Sequence, residues 1–354
     1  MEDTIALVCD SAGYGGVEVY LATLVSHLRE RWRFVALLGD GAPAQTRQEL
    51  ESAGAEVLTV PGMRRIPSGS AVLRLARMLR RVDPKLVHVN LTDQGDGLGP
   101  LLASRLSRRP TIGTLHLVIP GRDLWREHVS RRALLWPRLV VCVSEHVAEY
   151  ARAAGARTRV VLNGLVEPVL DPTPRAALGL SRDELVVGGI GRLHEQKGWD
   201  VLCRAARLVH EESPEVRFVV VGDGPDADAL RRTGGADVTF LGFRGNASSL
   251  VGAFDVLAVP SRYEAFGYVA LEAMYAGVPV VASAVGGLPE VIGDCGVLVQ
   301  PATPEELAAA ILKVVRDPDA RREGAQRARL RARTLFSAQR MAAETGRVYA
   351  EVAA

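Results

Sequence analysis

Short apolar runs rich in β-branched residues recur along the first half of the chain, bounded by Gly, Pro or Asp: Ile5–Cys9, Phe34–Leu38, Glu56–Val60, Leu86–Val89, Thr111–Leu115 and Leu139–Val143. Between them the spacing shifts to the helical period, with Val17, Leu21, Leu24, Val25 and Leu28 on one face, and likewise Val72, Leu75, Ala76 and Leu79. Strands that are apolar throughout need both faces covered, so strands alternating with amphipathic helices predict a doubly wound parallel α/β domain. The stretch from Asn163-Gly164 through Pro168, Pro172 and Pro174 to Leu180 interrupts this rhythm and reads as a linker. The rhythm restarts with Leu185–Ile190, Arg217–Val221, Val238–Leu241, Val256–Val259 and Val278–Ala282, followed by Ala- and Arg-rich helices from Pro304 onward.

A chain of 354 residues exceeds the size at which one core keeps growing. The expected architecture is α/β, two facing Rossmann-like doubly wound domains over residues 1–163 and 164–336, with a last helix near 337–354 packing back on the first. Each half opens with a strand and a glycine-rich turn, Gly13-Tyr14-Gly15-Gly16 and Gly188-Gly189-Ile190-Gly191. Ligands of such sheets bind beyond the carboxyl ends of the strands, so an interdomain cleft is where chemistry is expected.

Composition narrows the classes. The net charge of +2 gives no support to a nucleic-acid partner, and no run approaches the roughly 18 apolar residues of a membrane span. Cys9, Cys142, Cys203 and Cys295 form no C-x-x-C pair and suit buried free thiols. The acidic start Met1-Glu2-Asp3-Thr4 does not resemble a secretory signal, and a cytoplasmic location is expected.

The segment Ser261 to Met274 carries Glu264 and Glu272, eight positions apart. In one helix they would stand about 12 Å apart along the axis, too far for a glycosidase acid/base pair, so they must do different work. With a helix starting near Gly267, its free N–H groups would form an anion site between them, where a diphosphate fits. One carboxylate could then accept from sugar hydroxyls and the other from ribose hydroxyls. Arg192 and Lys197 follow a strand and precede a helix near Trp199, and could supply the fixed positive charge a departing diphosphate needs. No metal is then required.

Gly15 and Gly16 would let backbone amides approach phosphate. A dinucleotide fingerprint fails there because its third glycine would fall at Glu18, although Asp40 ends the second strand as such a fingerprint asks. Asp226-Ala227-Asp228 has the form of a metal-binding D-x-D but reads better as a helix N-cap with a first-turn carboxylate. His116 sits at the carboxyl end of its strand, facing the expected cleft.

Together, and in this order, these segments resemble family 4 of the retaining glycosyltransferases, which have the two-domain GT-B fold. The resemblance runs through Gly15-Gly16-Val17-Glu18, Thr114-Leu115-His116, Asn163-Gly164, Gly191-Arg192 with Gln196-Lys197-Gly198, Gly222-Asp223-Gly224-Pro225, Leu241-Gly242-Phe243, the Glu264 to Glu272 segment and Gly286-Gly287-Leu288-Pro289-Glu290. It implies transfer of a hexose-type sugar from a UDP- or GDP-type donor to a hydroxyl acceptor, with retention and without metal or other cofactor. The implied catalytic residues are His116, Arg192, Lys197 and Glu264. Implied donor contacts are Gly15, Gly16, Asp223, Gly242, Phe243, Phe266, Gly267, Tyr268, Val269 and Glu272. The acceptor, a small molecule, a lipid-linked group or a glycan, would meet Asn90, Thr92 and Asp93 and the loops Leu91–Gly97 and Leu117–Leu124. Asn90 stands where a second histidine is frequent in the family, and Tyr268 where a small aliphatic residue is usual.

The resemblance also raises a peripheral contact with an anionic membrane at its inner face, because some members bind through a basic helix. Arg64, Arg65, Arg74, Arg77, Arg80 and Arg81, then Arg122, Arg126, Arg131 and Arg132, could form such a face, and an ordinary solvated helix explains the same pattern. A sugar-nucleotide 2-epimerase on this fold would need further acid/base groups that no motif supplies, and a silent binding module would not need Glu264, Lys197 and His116 together.

Overall fold

The computed structural model describes residues 3–11, 13–63, 68–119, 124–301 and 303–354, without the side chains of 124–126. The chain divides into two compact units, Met1–Gly164 with Ala338–Ala354, and Leu165–Ser337. Each is a parallel sheet with helices between its strands, the two Rossmann-like domains expected of GT-B.

In the first unit the strands are β1 (Thr4–Cys9), β2 (Arg33–Gly39), β3 (Glu56–Val60), β4 (Leu86–Leu91), β5 (Thr111–Leu115), β6 (Leu139–Cys142) and β7 (Thr158–Val160). They lie in the order β3-β2-β1-β4-β5-β6-β7. The chain therefore winds outward one way from β1 and the other way from β4. The crevice at this switch point opens at the carboxyl ends of β1 and β4.

Ile5, Leu7 and Cys9 of β1 share a core with Tyr20, Leu21 and Leu24 of the helix Gly16–Leu28. Met341, Val348, Tyr349 and Val352 of the last helix, Ala338–Ala353, complete it. That helix's apolar stripe, separated from β7 by a whole second unit in sequence, belongs to the first unit because this core takes it up.

The second unit carries β8 (Leu185–Ile190), β9 (Val216–Val221), β10 (Val238–Phe240), β11 (Val256–Val259), β12 (Val280–Ser283) and β13 (Val297–Val299), in the order β10-β9-β8-β11-β12-β13. Its switch point lies between β8 and β11. Trp199, Leu202, Phe218, Val220 and Ile311 are among the residues of its core. All four cysteines are buried free thiols.

Candidate active site

In the second unit the segments that follow β8 and β11 are fastened together at the switch point. Arg262 N–H donates to Gln196 O at 2.8 Å, Gln196 Nε2 donates to Tyr263 O at 3.2 Å, and the Arg262 guanidinium grips Asp200 at 2.7 and 2.9 Å. Gly198 makes the approach possible: its φ is +66°, and a Cβ there would lie 2.0 Å from Pro260 O. The result is a close ion pair. Lys197 Nζ stands 2.6 Å from Glu264 Oε2, both side chains largely withdrawn from solvent. Arg192 is exposed, with Trp199 Nε1 donating to its carbonyl at 2.8 Å.

Behind Glu264 the backbone is packed against another tight turn. Gly287 N–H donates to Glu264 O at 3.1 Å, and a Cβ on Gly286 would fall 1.6 Å from that same oxygen, so the Gly286-Gly287 pair fixes where the glutamate stands. The helix Tyr268–Ala276 starts at Gly267, whose φ of +99° no side-chain-bearing residue adopts cheaply. Glu272 lies on this helix and accepts a 2.5 Å bond from Ser248 Oγ. Burial pushes its carboxyl up to about 6, against the opposing pull of that hydroxyl. Phe266 is buried, edge-on to Tyr268 and Phe336 at 5.5 and 5.7 Å, so it shapes the turn, whereas Phe243 is 75% exposed.

In the first unit, polar groups gather where β1, β4 and β5 end. His116 is buried and its Nε2 lies 3.2 Å from Asn90 Oδ1. Burial drives its imidazole down to about 3, so the ring is neutral. Tyr20 meets it edge-on at 4.9 Å. Gln94 clamps the loops after β4 and β5: its Nε2 donates to Ile119 O at 2.6 Å and its Oε1 accepts from Ile119 N–H at 2.9 Å. Asp93 turns its own loop by accepting from Gly95 N–H at 2.6 Å. The Cys9 thiol is pushed far up, first by burial and then by the charge of Glu18.

Comparison with known proteins agrees over both units. Residues 14–166 match the family described as Glycosyltransferase Family 4, and residues 184–317 match Glycosyl transferases group 1. The 2-deoxystreptamine N-acetyl-D-glucosaminyltransferase of Streptomyces fradiae is 32% identical over 328 residues, covering 79% of this chain and 77% of the relative.

This chain belongs to glycosyltransferase family 4.

Part of it is also similar to the D-inositol 3-phosphate glycosyltransferase of Segniliparus rotundus, 35% identical over 191 residues, 49% of this chain and 42% of that one. The crystal structure of Anabaena Alr3699/HepE in complex with UDP-glucose superposes with a TM-score of 0.86 at 26% identity, over 99% of this chain and 100% of that one. The protein is thus a GT-B glycosyltransferase acting on sugar donors.

Within this glycosyltransferase, Lys197 and Glu264 stand together, with Glu272 on the helix that begins just beyond Glu264; His116 and Asn90 stand together in the other unit. Gly15 N–H is already engaged, donating to Glu18 Oε2 at 2.8 Å. Asp223 accepts from Gly224 N–H at 2.8 Å. Asp40 accepts from Gly62 N–H at 3.0 Å and serves its own turn. As the capping reading of the D-x-D expects, Asp226 occupies the N-cap position and Asp228 the first turn, but the Asp226 side chain accepts no bond there, and Asp228 pairs with Arg231 at 3.2 Å. No cluster of three His, Cys, Asp or Glu suited to a metal occurs among the described residues, and no described helix is long and apolar enough to cross a membrane. Arg64, Arg65 and Arg122 and the Arg126 side chain lie outside the described residues, as does part of the loop Leu117–Leu124.

Sequence reasoning missed Gln94, Ser248 and Tyr20. Their roles depend on partners 25, 24 and more than 90 positions away, and no local motif announces them.

Proposed function

We propose that this glycosyltransferase is a retaining, metal-independent hexosyltransferase using a nucleoside-diphosphate sugar of the UDP type. The ion pair of Lys197 with Glu264, set beside the N-terminus of the helix that carries Glu272, is the observation that supports this most. A cation beside a helix start suits a diphosphate, and the carboxylates before and within the helix suit hydroxyl-bearing groups on either side of it. The UDP-glucose complex of the Anabaena protein supports the uridine base.

On this reading Glu264 receives the donor sugar's hydroxyls, Glu272 the ribose hydroxyls, and Arg192 and Lys197 the diphosphate. Gly15, Gly16, Asp223, Gly242, Phe243, Phe266, Gly267, Tyr268 and Val269 complete the donor site. The acceptor oxygen bonds to the anomeric carbon on the face from which the diphosphate leaves, the bond from that carbon to the phosphate oxygen breaks, and the leaving phosphate takes the acceptor's proton. His116 lies against the sugar. The anomeric configuration of the product, followed by proton NMR, tests the reading: retention is expected, and an inverted product overturns it.

The acceptor end of the reading, at Asn90, Thr92 and Asp93, has a charge preference. Asp10 follows β1 directly, and Asp93 and Asp96 lie in the loop after β4, the strand beside it. Carboxylates there favour an amine-bearing polyol, like the 2-deoxystreptamine named in one relative, over a phosphorylated one, like the D-inositol 3-phosphate named in the other. Parallel assays with both acceptors decide it; preference for the inositol phosphate overturns the amine reading. A membrane contact of the helix Gly69–Val82 would use Arg77 and Arg81, while Arg74 and Arg80, also exposed, each hold a carbonyl, of Pro61 and Leu106, at 2.5 and 2.8 Å. Co-sedimentation with anionic vesicles, lost in Arg77→Glu with Arg81→Glu, is its test.

A further inference from the structure

His116 is held by groups of its own unit, Asn90 and Tyr20, which are themselves tied to a buried network. His88, two residues before Asn90 on β4, is bonded through both ring nitrogens, Nδ1 to Tyr349 Oη at 2.7 Å and Nε2 to Thr114 Oγ1 at 2.6 Å. Thr114 in turn lies 3.4 Å from Tyr20 Oη, and the Tyr20 ring abuts His116 edge-on. Asn90 is itself fixed by the ladder, opposite Cys9 on β1 and Thr114 on β5. The groups that meet the His116 ring are Tyr20 from its helix and Asn90 from β4, with His88 edge-on to Tyr20 at 6.3 Å and Tyr349 bonded in turn to His88.

A neutral imidazole carries one N–H. Opposite Nε2 stands an amide oxygen, which can only accept, so the proton belongs on Nε2 and the lone pair on Nδ1. Asn90 is 1% exposed and its Nδ2 meets no partner among the described residues, so it is kept at the cost of a buried unsatisfied donor. A purely packing role would be met by an apolar side chain of similar size.

We propose that Asn90 is a positioning residue: its carbonyl oxygen fixes His116 as the Nε2–H tautomer, so that the bare Nδ1 accepts a hydrogen bond from a hydroxyl of the bound sugar. The proposal rests on the reading of His116 as a donor-facing residue. Asn90→Asp is its sharpest probe. A carboxylate in that place stabilises the imidazolium, which donates from both nitrogens and has no lone pair to offer, so turnover should acquire an acid limb that the parent enzyme lacks.

The tautomer can be read in the unaltered full-length protein, labelled with nitrogen-15 at histidine, from two-bond proton–nitrogen correlations, with His116 assigned by its loss in His116→Gln. Protonated Nε2 and bare Nδ1 from about pH 8 down to 5, well above where the buried ring titrates, is the expected result. A proton on Nδ1 overturns the proposal, as does a flat kcat profile in folded Asn90→Asp, for which a fall of at least about tenfold toward pH 5 is expected. Unchanged turnover in His116→Gln overturns the donor-facing reading and the functional half of the proposal with it, while the spectrum still reports the tautomer.

Discussion

Lys197 Nζ and Glu264 Oε2 lie 2.6 Å apart across 67 residues of chain. The pair brings the segment after β8 onto the segment after β11, and it leaves both partners shared until a donor arrives. On the proposed reading a diphosphate offers Lys197 a second anion, and the sugar offers Glu264 hydroxyl donors. Lys197→Ala should lower kcat by roughly a hundredfold or more, the scale for one electrostatic group lost from a transition state. Steady-state kinetics on a variant with unchanged circular dichroism provides the check. An effect confined to KM means that Lys197 serves ground-state binding alone.

Glu264 and Glu272 should separate in calorimetry with free UDP. Glu272→Ala loses the acceptor of the ribose hydroxyls, about 1.5 to 3 kcal/mol for a charged hydrogen bond. Glu264→Ala should bind UDP nearly as the parent does and yet turn over poorly, because its partner is the sugar that UDP lacks. Equal losses in both variants, or reversed ones, require the two roles to be redrawn.

Glu272 also predicts a pH dependence. Its folded-state value of about 6 lies above the ordinary carboxyl range, so the ionised form costs folding stability at pH 7 and that cost disappears once both folded and unfolded forms are protonated. Glu272→Gln should therefore raise stability by up to about 2 kcal/mol at pH 7, with the gain fading toward pH 4.5, while weakening donor binding. In the parent enzyme, affinity for UDP-glucose, whose diphosphate does not titrate in this range, should fall as pH drops through about 6. Thermal melts and calorimetry at several pH values test both halves. A parent affinity flat from pH 7.5 to 5 contradicts the ribose assignment.

Acid should destabilise the first unit through its buried histidines. Burial, assisted by the neighbouring His116, holds the His88 imidazole down at about 3. A His whose folded value is lowered binds protons more readily when unfolded, so stability is intact above about pH 6.5 and is withdrawn as pH falls from there toward 3. His88→Gln should melt lower at pH 7, having lost ring bonds to Tyr349 and Thr114, but its Tm should fall less between pH 6.5 and 4. A difference of at least about 4 °C in that fall is expected, corresponding to 1 to 2 kcal/mol in a unit of this size. Parallel curves would show that His88 does not govern the acid response.

Metal independence has its own test. On the proposed reading, fixed cations at Arg192 and Lys197 take the role a divalent ion would have at the leaving group. Transfer should continue unchanged in excess chelator, and activity abolished by chelator and restored by magnesium would place a metal in the mechanism.

The chain's own periodicity determined the two α/β units, because strands and helices each write a local repeat that needs no distant partner. Eleven of the strands are legible in this way, whereas β7 and β13, each at the edge of its sheet, are not. Motif order likewise brought forward Arg192, Lys197, Glu264, Glu272 and His116 as candidates, since glycine-rich turns mark where strands end. Tertiary structure alone decided their partners. Glu18 entered as the residue that spoils a dinucleotide fingerprint, and its carboxylate turns out to occupy the Gly15 amide. Asp226 holds a capping position without capping. His88 read as a strand residue, and it is the link through which Tyr349, 261 positions on, reaches the wall behind His116. Local spacing encodes which face a side chain is on, but what it meets there depends on sheet order and register, and those are settled only when residues far apart in the chain compete for one core.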